Sequence, residues 1–114
     1  MPEVSQLAQL EQLKVKDQVH IDRFAALLRL KSNKDFQDVV LNHYLIQECA
    51  TNAHNAANLV FSTEKRADCM AMAAAAGHFK NYLQNIEQAA RQATGRADEL
   101  EDAIVQARQD ELEG

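Results

Sequence analysis

Tryptophan is absent from this chain of 114 residues, proline occurs once and glycine three times. Aromatic residues make up only 5%. Scarce proline and glycine leave few positions that could end a helix or form a tight turn, which argues against a strand-and-turn architecture. Three scattered glycines cannot form a phosphate-cradling loop. Two cysteines, Cys49 and Cys69, supply neither a CxxC motif nor a disulfide framework, and both fall inside helical patterns. They read as small buried apolar residues. The start, Met1 to Gln6, is polar and resembles no signal peptide, and no apolar run approaches the length needed to span a membrane. The expectation is a soluble chain made in a reducing cytoplasm.

Positive charge is also short. Lys and Arg number 12 against 17 Asp and Glu, for a net charge of −5. Residues 96–114 carry two Arg and seven acids, so that segment holds the whole excess. A nucleic-acid binder normally presents a basic face, so no nucleic acid is expected as partner. The acidic end is read as a solvated terminal helix or as a docking element for a basic surface.

What the chain does have is helical periodicity. Pro2 and Glu3 suit a helix start, and Val4, Leu7, Leu10 and Leu13 follow at steps of three. Lys14 to Gln18 weakens this stripe, which resumes with Val19 or His20, Ile21, Phe24, Leu27 or Leu28, and Leu30, as one helix with a shift of face near Lys16 or as two shorter helices. Lys31 to Asp35 is a break, with Ser32 or Asn33 as the cap of a second helix. Phe36, Val39, Val40, Tyr44, Gln47, Ala50, Ala53, Ala57 and Val60 form its stripe. A short connection implies antiparallel neighbours, with Ile21, Phe24 and Leu28 on Phe36, Val40 and Tyr44.

Ser62 or Thr63 caps a third helix, whose stripe runs through Cys69, Met72, Ala76, Phe79, Leu83, Ile86, Ala90 and Ala93. Gly77 interrupts an alanine run and marks close approach of another backbone, a kink, or plain tolerance. Thr94-Gly95 is a helix stop with Gly in the left-handed position. Ala97, Leu100, Ile104, Ala107 and Glu111 then form a narrow coiled-coil-like seam. Residues 64–112 form one bent helix or two. The fold class is all-α: an antiparallel hairpin or bundle of three to four helices, two of them long, in one domain over 1–114. The helices are approximately 3–30, 33–61, 64–94 and 96–112. Phe36→Ala and Phe79→Ala are the most damaging changes expected, at about 3–5 kcal/mol if both rings are fully buried.

The residue types needed for chemistry do not cluster. His43 and His54 are eleven residues apart with Gln47 and Glu48 between them, and His20 and His78 stand alone. No Glu-x-x-His pair and no HxxxH occurs, so neither di-iron nor zinc ligation is expected. Nucleophilic catalysis needs a Ser or Cys held by His, usually on a strained loop, and the loops here are short. The chain reads as non-enzymatic, with no cofactor. Asn42, Gln47, Asn52, Asn55 and Asn58 are poor helix formers, suited to an exposed face or to amide bonds between helices.

Two runs carry a resemblance. Asn33-Lys34-Asp35-Phe36-Gln37-Asp38-Val39-Val40-Leu41-Asn42-His43-Tyr44-Leu45, followed by Glu48, and Gly77-His78-Phe79-Lys80-Asn81-Tyr82-Leu83-Gln84-Asn85-Ile86 resemble small helical proteins of tailed bacteriophages, of the head and portal gene region. The resemblance covers roughly 20–90 and rests on packing residues. It implies a virion or virion-assembly role in the host cytoplasm and the particle. The implied partners are the chain itself, a capsid protein or a portal protein, with no membrane. Gly77, Leu100, Ile104, Glu101 and Asp102 are the candidate contact residues. The alternative is a phage regulator that binds a host protein through its acidic C-terminal helix.

Overall fold

A computed structural model describes residues 5–114. The elements are α1 (Gln6–Lys31), α2 (Lys34–Phe36), the π-helix π1 (Gln37–Glu48), α3 (Cys49–Ala56), α4 (Thr63–Gly95) and α5 (Ala97–Glu113). Among the described residues there is no strand, and the chain is all-α. It divides into two compact units, one of residues 1–26 and 86–114, the other of residues 27–85.

Local chemistry sets each boundary. Pro2 and Glu3, expected to open the first helix, lie outside the described residues. The Ser5 hydroxyl accepts from the Ala8 N–H at 3.1 Å, and the helix opens at Gln6. Ser32 and Asn33 divide the next corner between them. The Ser32 hydroxyl donates back to the Leu28 carbonyl at 3.0 Å, while Asn33 Oδ1 accepts from the Phe36 N–H at 2.9 Å and so caps α2. The Ser62 hydroxyl accepts from the Lys65 N–H at 3.1 Å, which makes Ser62 the α4 cap, with Glu64 in the favoured first-turn position.

The second helix does not reach Phe61. It ends at Ala56, because the N–H groups of Ala57 and Asn58 turn to carbonyls only three residues back, those of His54 and Asn55. Asn58 then takes over the chain, its side-chain oxygen accepting from the Val60 N–H and its carbonyl from the Phe61 N–H. Arg66 Nε donates to the Ala56 carbonyl at 3.0 Å, and the Lys65 ammonium sits 4.0 Å above the Phe61 ring.

Within the second unit, residues 34–56 run antiparallel to α4. Tyr44 meets Phe79 edge-on at 6.1 Å, the Cys49 thiol donates to the Ala73 carbonyl at 3.7 Å, and Ala56 meets Arg66. Leu28, expected on Tyr44, is half exposed, and Tyr44 meets Phe79 of α4. Ile21 and Phe24 belong to the first unit.

The expected inner face of 36–60 is also displaced. Gln47, Ala50, Ala53, Ala57 and Val60 are exposed, and the covered positions are Phe36, Val40, Leu41, Leu45, Glu48 and Cys49. Their steps of four and five follow the wider winding of π1, in which each N–H reaches five residues back. Through α3 the covered positions, Asn52, Asn55 and Ala56, return to steps of three and four.

Within the first unit, α1 runs antiparallel to α5. Glu11, Lys14 and Asp17 pair with Arg108, Glu101 and Arg96, so partner numbers fall as α1 advances. The buried stripe is Ala90, Ala93, Leu100, Ile104 and Ala107, at coiled-coil steps. Gly95 does not take the left-handed conformation, and no residue among those described has positive φ. The break falls instead at Arg96 (φ −106°, ψ 4°), so residues 64–112 are two helices. Phe36 and Phe79 are only half-buried, which lowers the cost expected for their truncation. Ile104, 1% exposed, is the large side chain the fold encloses most fully.

Gly77 has no neighbour among the described residues within 4 Å of where a Cβ would stand, so none of them approaches it closely from another element. Ala there gains helix propensity and meets no clash. Gly77→Ala should raise stability by about 0.5–1 kcal/mol in urea denaturation. A loss of stability would mean that something outside this chain packs on the glycine.

Candidate functional site

The first unit has a polar focus on its core stripe. Asp17 falls where the heptad of α1 points inward, seven residues after Leu10 and seven before Phe24. It is 4% exposed. Both carboxylate oxygens accept from the Arg96 guanidinium, with Nε at 2.8 Å from one and Nη2 on the other. That hydrogen bonding holds the Asp17 carboxyl below its ordinary value of 3.8; burial works the other way, and the positive charge of Arg96 and proximity of His20 add to the lowering. Arg96 is shifted upward by the same bond. The bidentate fork fixes orientation as well as charge.

Two more pairs flank it on α5, Lys14–Glu101 at 2.8 Å and Arg108–Glu11 at 3.3 Å. All four of those side chains are about half exposed, so water screens them and they contribute to register more than to stability. Beside Asp17 lies a cleft of ≈130 Å³, floored by Ile21, Ala93, Ala97 and Leu100 and rimmed by Lys14, Gln18 and Glu101. Pockets for cofactors or drug-sized ligands start at about 300 Å³. Asp17 is moreover held ionised and fully engaged, so it has no proton to exchange near neutrality. The arrangement locks α1 to the α4–α5 junction.

In the second unit, His43 lies between Gln47 Oε1, 3.3 Å from Nδ1, and Glu48 Oε1, 3.4 Å from Nε2. The π winding brings position i+5 onto the same side as i+4, which joins all three. Among the described residues no three His, Cys, Asp or Glu side chains come together as a metal site. Cys69 is buried and Cys49 half-buried, and both are free.

The candidate contact residues separate into two groups. Leu100 and Ile104 are enclosed by the chain's own core, and Glu101 is engaged by Lys14, so the seam expected to meet a partner is filled by α1 instead. Gly77 and Asp102 remain on the surface. A third group is large and apolar yet exposed: Val39, Tyr44, Val60 and Met72, which the periodicity places on inward stripes, with Ile46, Leu59, Met70 and Tyr82. For Leu59, Val60, Met70 and Met72 the signal that could have found them is the absence of charge. Residues 49–63 and 69–79 contain no Asp, Glu, Lys or Arg. No family model, curated protein or solved structure matches this chain. Among the described residues no helix is long and apolar enough to cross a membrane.

Proposed function

We propose that this chain is a non-enzymatic structural protein of a tailed-phage particle or of its assembly, acting by packing its helices against itself or against a larger capsid or portal protein. One observation carries the packing part of this reading. In the second unit Val39, Tyr44, Ile46, Met70, Met72 and Tyr82 are large apolar or aromatic side chains left exposed. Met70 and Met72 lie in a segment of that unit, residues 69–79, that carries no Asp, Glu, Lys or Arg. A helix apolar around its whole circumference is ordinarily buried. Along 69–79, only Cys69 and Ala76 are buried within this chain. The phage assignment rests on the resemblance of residues 33–45 and 77–86.

Mass spectrometry of purified particles and of assembly intermediates is the test. Recovery of the chain from either supports the proposal, and absence from both removes it. The second reading, a regulator that binds a host protein, is favoured by the outward face of α5, where Asp98, Asp102 and Glu113 are all exposed. Deleting residues 96–114 does not test it, since that also removes Leu100, Ile104 and Ala107 from the core. Asp98→Lys with Asp102→Lys reverses the face and spares the core. Loss of a stoichiometric host protein from a pull-down with this double variant would favour the regulator.

A further inference from the structure

We infer that residues 58–61 are a cleavage site for an endoprotease whose specificity pocket takes a large apolar side chain, and that the cleaved chain stays folded as a complex of its two halves. The inference goes beyond the packing role proposed above and does not depend on it. A protease holds its substrate as an extended strand and pairs with its main-chain N–H and C=O groups. A helix already uses those groups within itself. An apolar side chain exposed on a helix is therefore out of reach until the helix opens, and exposed loop tips are where chains are nicked.

Val39, Tyr44, Ile46, Met70, Met72 and Tyr82 are exposed, and each lies in a helix. Among the described residues, the large apolar side chains exposed outside any helix are those of Leu59 and Val60, at 82% and 89%. They sit in the connection between Ala56, where α3 ends, and Thr63, where α4 opens. The Val60 N–H donates to Asn58 Oδ1 at 3.0 Å, and the Phe61 N–H to the Asn58 carbonyl at 3.1 Å. Both bonds are local, so opening them to make an extended strand unwinds no helix. Residues 49–63 carry no Asp, Glu, Lys or Arg, so no charge accompanies Leu59 or Val60 into an apolar pocket. Hydrolysis then adds water across the Leu59–Val60 amide. The C–N bond breaks, the hydroxyl goes to the Leu59 carbonyl carbon and a proton goes to the Val60 nitrogen. The new carboxylate and ammonium are both left in solvent.

The cut separates residues 1–59 from 60–114, and each compact unit draws on both halves. The first unit takes residues 1–26 from one and 86–114 from the other, and the second takes 27–59 and 60–85. In the first unit the Asp17–Arg96 fork and the pairs Lys14–Glu101 and Glu11–Arg108 join the halves. In the second, Tyr44 on Phe79, Cys49 on the Ala73 carbonyl and Arg66 on the Ala56 carbonyl do the same. Folding equilibrium constants of small domains run from about 10³ to 10⁸, and a short connection supplies a local concentration of about 1 mM. Without the connection, the halves should therefore bind each other with a dissociation constant of about 1 μM or tighter.

Brief digestion of the full chain with thermolysin, which cuts on the amino side of large apolar residues, is the test. Mass spectrometry should place the first cut within residues 58–61. The halves should part on a denaturing gel, yet elute together in native size exclusion well above micromolar concentration, with the helical circular dichroism of the intact chain. Leu59→Asp with Val60→Asp should leave the circular dichroism unchanged, because both residues stand in solvent. The same double variant should slow the cut by at least about tenfold, the discrimination that an apolar pocket shows over a single methylene. A first cut at Ile46, Met72 or Tyr82, a chain that resists until urea unfolds it, or a double variant cut as fast as wild type overturns the site. Halves that elute apart overturn the complex.

Discussion

Ile104→Ala should lower the stability of the protein by about 2–5 kcal/mol, the range for truncating a large buried aliphatic side chain. Ile104 is 1% exposed and lies on the stripe formed by Ala90, Ala93, Leu100 and Ala107. On its own helix Ile104 is flanked at steps of four and three by Leu100 and Ala107, both buried as well. A small domain is stable by only about 5–15 kcal/mol in total. Losing a few of these should bring the urea midpoint down sharply, followed by circular dichroism. Ile104→Val removes one methylene and should cost about 0.5–1.5 kcal/mol. Phe36→Ala should fall below Ile104→Ala, because Phe36 is only half-buried. A loss under about 1 kcal/mol for Ile104→Ala would remove this residue from the centre of the core.

The comparison of these sites shows what could be read from the sequence. The C-terminal seam was legible, since Leu100, Ile104 and Ala107 repeat at steps of three and four and all three are buried. Most of the stripe of α4 was legible for the same reason, with Cys69, Ala76, Leu83, Ala90 and Ala93 inside and Phe79 and Ile86 half-buried, but Met72 on the same stripe is exposed. Both breaks with a Ser or Asn cap were legible because a side-chain oxygen before a helix has a specific acceptor role. The face of 36–60 was not. A reader who assumes 3.6 residues per turn assigns Gln47 and Ala50 inward, and only the i−5 hydrogen bonding of π1 moves the face to Leu41, Leu45 and Glu48. No residue type announces a π-helix. Pairing across the chain was also invisible, because nothing local to Asp17 indicates a partner 79 residues away. The only trace was negative: the apolar stripe of α1 weakens between Lys14 and Gln18, and at its centre the inward position holds an aspartate.

That aspartate gives the second large effect, which is an asymmetry. Arg96→Ala should destabilise the protein more than the double replacement Asp17→Leu with Arg96→Leu. The single change leaves the Asp17 carboxylate enclosed with no donor, and stranding such a buried group costs about 1–3 kcal/mol. The double change exchanges a desolvated pair for apolar contact with Ile21, Ala93 and Leu100, which line the same cleft. Acid titration separates the two further. Because Arg96 holds the Asp17 carboxyl below 3.8, the pair stabilises the fold fully above that value. The stabilisation fades as pH falls from there through the lower folded value, where the carboxylate takes up its proton. Wild type should therefore lose stability between neutral pH and pH 3 by more than the Leu/Leu variant does, measured by urea midpoints at each pH. Equal acid slopes would show that Arg96 does not hold the proton off Asp17. An Arg96→Ala chain as stable as wild type would show that the carboxylate finds water once its partner is gone. If both expectations hold, the pair serves to choose one register of α1 on α5 over its neighbours, since sliding either helix by a turn would leave this charge enclosed and alone.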